Sequence, residues 1–152
     1  MNTATPHATD VSPVLEIVRS FDAPPARVSD AWLVREQWQA WIGPEGVQCE
    51  VPLLEPHVGG KYRVQMHMSD GKIIPVAGEF KTIERPHKFA FTWGWEGDLT
   101  KTTLVTVTLK DVNGKTEMTL RHEGLPDEGS RISHGKGWNS TLNKLAAYVK
   151  GQ

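Results

Sequence analysis

The stretch His87-Lys88-Phe89-Ala90-Phe91-Thr92-Trp93-Gly94-Trp95 decides the fold. Phe89, Phe91, Trp93 and Trp95 fall at every second position, with Lys88, Ala90, Thr92 and Gly94 between them. Successive side chains of a strand point to opposite faces, so this pattern predicts a strand with one aromatic face that something must cover. The flanking segments repeat the alternation. Upstream, a strand is predicted over 60–68, with Tyr62, Val64, Met66 and Met68 on one side. After the turn Ser69-Asp70-Gly71, another is predicted over 72–84, ended by Arg85-Pro86. Downstream, 100–110 groups Thr103, Val105, Val107 and Leu109, and 116–123 groups Met118, Leu120 and His122. Asn113-Gly114 between these last two is a hairpin signal, because both turn positions need positive φ. Five strands joined by short turns predict an antiparallel meander with one apolar and one polar face.

Ahead of the meander the period changes. Residues 14–21 read as a strand, and 47–52 as another. Between them lie two short helices, 25–33 with Val28, Ala31 and Trp32 on one face, and 35–42 with Trp38, Trp41 and Ile42. Asp22 or Ala23 is the expected N-cap of the first, with proline in its opening turn. Gly43-Pro44 stops the second. At the other end, 127–150 reads as a long helix whose inner stripe carries His134, Trp138, Thr141, Leu142, Leu145 and Val149. Gly135 and Gly137 weaken that helix by about 1 kcal/mol each relative to alanine, and serve either a bend or a close backbone approach. This helix is the element long enough to cover the apolar face of the sheet.

Composition bounds the function. The chain has 152 residues, one domain of ordinary size, read as an N-terminal tail at 1–13 and a single folded domain at 14–152. Seventeen basic and 18 acidic residues give a net charge of −1, which argues against a general nucleic-acid binder and against a polybasic membrane-surface protein. The longest apolar stretches, such as 145–149, fall far short of the ~20 residues a membrane span needs. The tail has no Lys or Arg and no apolar core of a signal peptide, so the expected location is the cytoplasm. One cysteine, Cys49, excludes an intrachain disulfide and reads as a small packed hydrophobe.

Familiar catalytic motifs are absent. Residues 129–137 have the wrong spacing for a phosphate loop, and Gly137 stands where Ser or Thr should follow Lys136. His122-Glu123 opens like a zinc-protease motif but lacks the second histidine. The six histidines are scattered, no two at helical ligand spacing, so no metal site and no cofactor is expected. There is no Gly-x-Ser-x-Gly elbow. Two readings of the inner face remain open, a filled core and a ligand cavity; the bulky aromatics, the adaptable Met66 and Met68 and an inward His122 lean toward the cavity. Arg85 and Arg121 read as solvated, and Trp38 and Trp41 as either a cavity mouth or a cap on the sheet's end.

A set of segments carries a resemblance. Asp22-Ala23-Pro24, Trp41, Val58-Gly59-Gly60-Lys61-Tyr62, Asp70-Gly71, Gly78-Glu79-Phe80 and Glu84-Arg85-Pro86 stand in a familiar order. Phe91-Thr92-Trp93, Val105-Thr106-Val107-Thr108-Leu109, Leu120-Arg121-His122 and Gly137-Trp138 continue it. Together they resemble the SRPBCC (START-like) superfamily, and within it the branch of activator of heat-shock-protein-90 ATPase homologues, over about 14–149. The resemblance implies an α+β helix-grip fold: a seven-stranded antiparallel sheet wrapped around a long C-terminal helix, with two short helices after the first strand. It implies a small hydrophobic ligand (lipid, sterol or polyketide-like) held between sheet and helix by a carrier or sensor. The branch name carries a stress-response setting and a chaperone partner, which no motif here supports; the co-chaperones' separate chaperone-binding domain has no room in this length. The candidate ligand contacts are Met66, Phe91, Trp93, Trp95, Val107, Leu120, His122, His134, Trp138 and Leu142. Two alternatives stand beside the carrier: a cyclase or hydrolase using His122, with His134 or Glu79, and a chaperone-ATPase-activating module. Oligomeric state is not legible in the sequence.

Overall fold

The computed structural model describes residues 13–95 and 98–150, with the backbone alone at 95 and 98–101. The tail expected at 1–13 lies almost wholly outside the described residues. The order of elements is β1 (Leu15–Phe21), α1 (Pro25–Leu33), α2 (Arg35–Trp41), β2 (Gln48–Leu54), β3 (Lys61–His67), β4 (Ile73–Glu84), β5 (Lys88–Trp95), β6 (Asp98–Val112), β7 (Lys115–Glu123) and α3 (Glu128–Lys150). The strands form one antiparallel seven-stranded sheet in the order β1-β7-β6-β5-β4-β3-β2. The chain is a helix-grip fold, with β1 returning to the far edge beside β7.

Alternation sets the register. Val105, Val107 and Leu109 pair with His122, Leu120 and Met118, and all six are buried. Asn113 and Gly114, both at positive φ, turn the chain between β6 and β7 as the hairpin signal requires. Gly78 sits on the inner face of β4, opposite Tyr62 on β3. A Cβ there would collide with the Tyr62 ring and the Thr92 carbonyl. Its absence lets Tyr62 lie across β4 and donate its hydroxyl to Thr92 O on β5 at 2.5 Å.

The helices occupy the inner face unequally. Trp32 of α1 lies 5.5 Å from Phe89 and 6.1 Å from Phe91, ring centre to ring centre. Trp38 of α2 packs edge-on against Tyr62 at 5.2 Å. Trp41 Nε1 donates to Ala31 O at 2.9 Å and joins the two helices. Trp38 and Trp41 are therefore buried core, neither mouth nor end cap. The expected cap at Asp22 or Ala23 is also corrected: Pro24 takes the cap position with no side-chain bond, its carbonyl accepting from Arg27 N and Val28 N. Pro25 has no N–H to satisfy, so a side-chain cap has less to do.

Helix α3 starts on a firm cap, Asp127 Oδ1 accepting from Ser130 N at 2.7 Å. It is held on both flanks. Arg19 of β1 donates to Asn139 O and to Asn143 Oδ1. On the opposite flank Ser140 Oγ accepts from Glu45 N at 2.7 Å, and Lys144 Nζ donates to Gly43 O and Val47 O. Those tethers carry the helix across the sheet as a bridge.

Candidate functional site

A cavity of about 510 Å³ lies under the N-terminal half of α3. Its floor is Met66 of β3, Ile74 and Val76 of β4, Trp93 and Gly94 of β5 and Thr103 of β6. Ile42, Gly43 and Pro44, which follow α2, close one side, and Leu125 and Pro126, which precede α3, close the other. The roof is Ser130, Ser133, His134, Gly137, Trp138 and Thr141 of α3. Pro126 and Ser133 are exposed and mark the mouth. The volume falls within the range that holds a small organic ligand.

The roof follows from helical spacing. Ser130, His134, Gly137, Trp138 and Thr141 fall on one stripe, and Leu142, Leu145 and Val149 continue it into the core. The front half of the inner stripe is thus small or polar, and the back half aliphatic. Gly137 stands out, since a Cβ built there meets nothing within 4 Å. At Gly135 the same Cβ would sit 3.3 Å from Leu15 Cδ1, so that glycine serves the approach of the helix to β1.

Trp138 divides cavity from core. Its ring centre is 5.9 Å from Trp32 on the packed side and 5.4 Å from Trp93 on the hollow side. Its indole N–H donates to His122 Nδ1 at 3.1 Å. Indole is a donor only, so neutral His122 carries its proton on Nε2, as assigned from this network. Nε2 donates to Thr103 Oγ1 at 2.6 Å, and Thr103 donates onward to Trp93 O at 3.0 Å. Every polar atom of this relay is used. His122 is fully buried, and desolvation, with the neighbouring His134 adding to it, pulls its pKa from 6.5 down to about 3. A second proton would also face the Trp138 N–H.

The sequence-derived contacts therefore separate. Met66, Trp93, His134 and Trp138 line the cavity. Phe91, Val107, Leu120 and Leu142 do not; they are buried in the core cluster, where Trp32 sits over Phe91 and occupies that part of the groove. His122 stands behind Trp138 and Thr103, with no face on the cavity. That corrects its reading as a polar handle or general acid/base: both ring nitrogens are committed to protein partners. The side chain of Trp95 lies outside the described residues. Glu79 is on the outer face, facing Lys61 and Lys81. Sequence reasoning missed Gly43, Pro44, Leu125 and Pro126, which belong to aperiodic connections, and read Ile42 only as part of a helical face, whereas that residue caps the helix. It also missed Ser130, Ser133 and Gly137, although Gly137 is visible in the sequence as a weak point of the helix.

Elsewhere, Cys49 is half-buried against a smaller hollow beside Lys144, and burial pushes its thiol pKa up to about 11, which makes it a poor nucleophile. Among the described residues no three His, Cys, Asp or Glu side chains converge as a metal site would require, and no helix is long and apolar enough to cross a membrane.

Comparison with known proteins agrees with this architecture. The sequence pattern described as activator of Hsp90 ATPase homolog 1-like protein matches residues 22–150. A crystal structure of a protein from Chromobacterium violaceum superposes with a TM-score of 0.83 at 26% identity, covering 90% of this chain and 96% of the other. The AHSA1 protein from Silicibacter pomeroyi superposes with a TM-score of 0.79 at 27% identity, covering 91% and 98%. A solution structure of a protein from Arthrobacter aurescens gives 0.81 at 26% identity, covering 91% and 87%. None of the curated proteins matches the chain by sequence.

Proposed function

The chain belongs to the activator of Hsp90 ATPase homolog 1-like family, and from that premise and its cavity we propose that it binds a small hydrophobic molecule, as a carrier or sensor. The observation that carries this reading is Gly137. A glycine inside a helix costs about 1 kcal/mol against alanine. Here its missing side chain relieves no clash and faces open space at the roof of the cavity. A helix filling a core would place a methyl or larger group at that position. The apolar floor of Met66, Ile74, Val76 and Trp93 supplies the surface that such a ligand would cover.

The two alternatives have less behind them. Acid–base chemistry by His122 would need a ring nitrogen open to substrate, and both are engaged. A chaperone-docking face would need a contiguous apolar patch. The exposed large apolar side chains among the described residues are Val14, Val18, Val58, Ile73, Val112 and Ile132, scattered over one edge strand, strand ends, a turn and a helix.

The test is a plug. Gly137→Leu should fill the roof without disturbing the fold. Purified native protein should enhance the fluorescence of the neutral dye Nile red saturably, and native mass spectrometry should show whatever apolar molecule it retains. In Gly137→Leu the dye affinity should fall at least about tenfold, with no loss of thermal stability. Equal dye binding by both proteins, or none by the native one, would sink the carrier reading.

A further inference from the structure

If the protein is a carrier or sensor with this cavity, the chemistry of the wall narrows the ligand beyond small and hydrophobic. The described residues lining the cavity include no Lys, Arg, Asp or Glu. A carboxylate or ammonium group drawn inside would lose its hydration with no opposite charge to meet it. A neutral ligand avoids that cost.

Several polar side-chain atoms of the wall make no hydrogen bond to a described residue, and two of them, on Thr141 and His134, flank Gly137 along α3. Thr141 is only 4% exposed, yet its hydroxyl makes no hydrogen bond to any described residue. That hydroxyl is not sealed inside the protein; it opens on the cavity, where an occupant can meet it. His134 donates from Nδ1 to Ser130 O at 2.8 Å, one turn back along the helix. That contact leaves Nε2 as its unpartnered ring nitrogen. By contrast, Thr103 is spent on His122 and Trp93 O, and the Trp138 indole on His122.

Thr141 and His134 are seven residues apart, so they share one stripe of α3, separated by about 10 Å of helical rise. Gly137 lies between them and removes the side chain that would otherwise block the line joining them. Trp93 and Trp138 are in tilted ring contact, 5.4 Å between centres, and together give the same stretch an aromatic wall. We propose that the cavity selects an uncharged, elongated ligand with an apolar, preferably aromatic, waist and a hydrogen-bonding group at each end, one meeting Thr141 and the other His134. A hydroxyl suits both ends, since it can donate to an imidazole nitrogen and exchange donor and acceptor roles with threonine. A fatty acid or another anionic amphiphile is the ligand this wall disfavours.

The probes are four biphenyls of the same width: the unsubstituted hydrocarbon, para-hydroxybiphenyl, para,para′-dihydroxybiphenyl, whose hydroxyls span a distance similar to that between the two wall groups, and the para,para′-dicarboxylate. Calorimetric titration of the native protein should rank the diol first and the dicarboxylate last. Each hydroxyl should add about three- to tenfold in affinity. In Thr141→Val and in His134→Phe, the diol-to-hydrocarbon affinity ratio should each fall by about one such step. A ratio near one in the native protein, a dicarboxylate that binds as tightly as the diol, or variants that leave the ratio unchanged would overturn the proposal. Nile red binding that Gly137→Leu abolishes, together with a failed diol ranking, would overturn this inference and keep the carrier reading. Absence of both dye and biphenyl binding would remove the two together.

Discussion

The groove between sheet and long helix has two ends built from the same materials. At one end Phe89, Phe91, Leu109, Met118 and Leu120 meet Trp32, Leu142 and Leu145, and the space is filled. At the other, Met66, Ile74 and Trp93 meet Ser130, His134 and Gly137 across about 510 Å³ of cavity. Both floors are inner faces of the same sheet, and both roofs are the same stripe of α3. The difference lies in what is inserted. Helices α1 and α2 place Trp32 and Trp38 over the first region, while no such side chain reaches the second. Hollowness therefore comes from what stands above the sheet, the reach of α1 and α2 together with the small residues on the roof, and not from any defect in the sheet below.

Truncating a wall residue on each side of Trp138 tests that contrast most strongly. Trp32 is 1% exposed and touches Trp41, Phe89, Phe91 and Trp138. Trp32→Ala should lose about 3–5 kcal/mol in urea unfolding, the range for deleting a large core aromatic. Trp93→Ala should lose less than half as much, since one side of that ring already faces open space. Equal losses would mean that the two ends are packed alike, and the distinction would fail.

That pair also shows how far the sequence could be read. Parity assigned Phe89, Phe91 and Trp93 to one face, and they share it. Parity is silent on what lies above a face at each point along the strand, so it could not separate Phe91 under Trp32 from Trp93 beside the cavity. The hairpin at Asn113-Gly114 and the helix stripe were legible because they rest on local backbone geometry and periodicity. The side walls at Gly43, Pro44, Leu125 and Pro126 were not, because loops carry no period, and Ile42 showed only as the end of a helical face. His122 pointed inward as expected, but only the arrangement of Trp138 and Thr103 shows that its nitrogens are occupied.

His122 marks the seam between the two ends, and it gives the next largest effect. Its folded pKa of about 3 lies below the usual 6.5. A histidine held neutral in the folded state contributes stability above its unfolded pKa and loses it as pH falls toward the folded value. The unfolded chain takes up a proton that the folded chain refuses. Between pH 7.5 and pH 5 this group alone should therefore remove about 2 kcal/mol. His122→Leu should flatten that pH dependence, while lowering stability at neutral pH because the Trp138 N–H loses its acceptor. Urea titrations at the two pH values measure both; a native protein equally stable at each would mean that the Trp138–His122–Thr103 relay does not hold the ring neutral.

The smallest effect is the most telling about the roof, because two glycines of one helix, two residues apart, should respond differently. At Gly137 an alanine methyl meets nothing, so Gly137→Ala should gain about 1 kcal/mol from helix propensity alone. At Gly135 the methyl would lie 3.3 Å from Leu15 Cδ1, and either the helix or the β1 side chain must yield by a few tenths of an ångström. Gly135→Ala should therefore gain markedly less, or lose stability. Thermal melts of the two variants give the comparison directly. If Gly135→Ala gained as much as Gly137→Ala, the helix would not approach β1 closely. If Gly137→Ala gained nothing, the space beneath it would already be occupied, and the hollow end of the groove would be a second core.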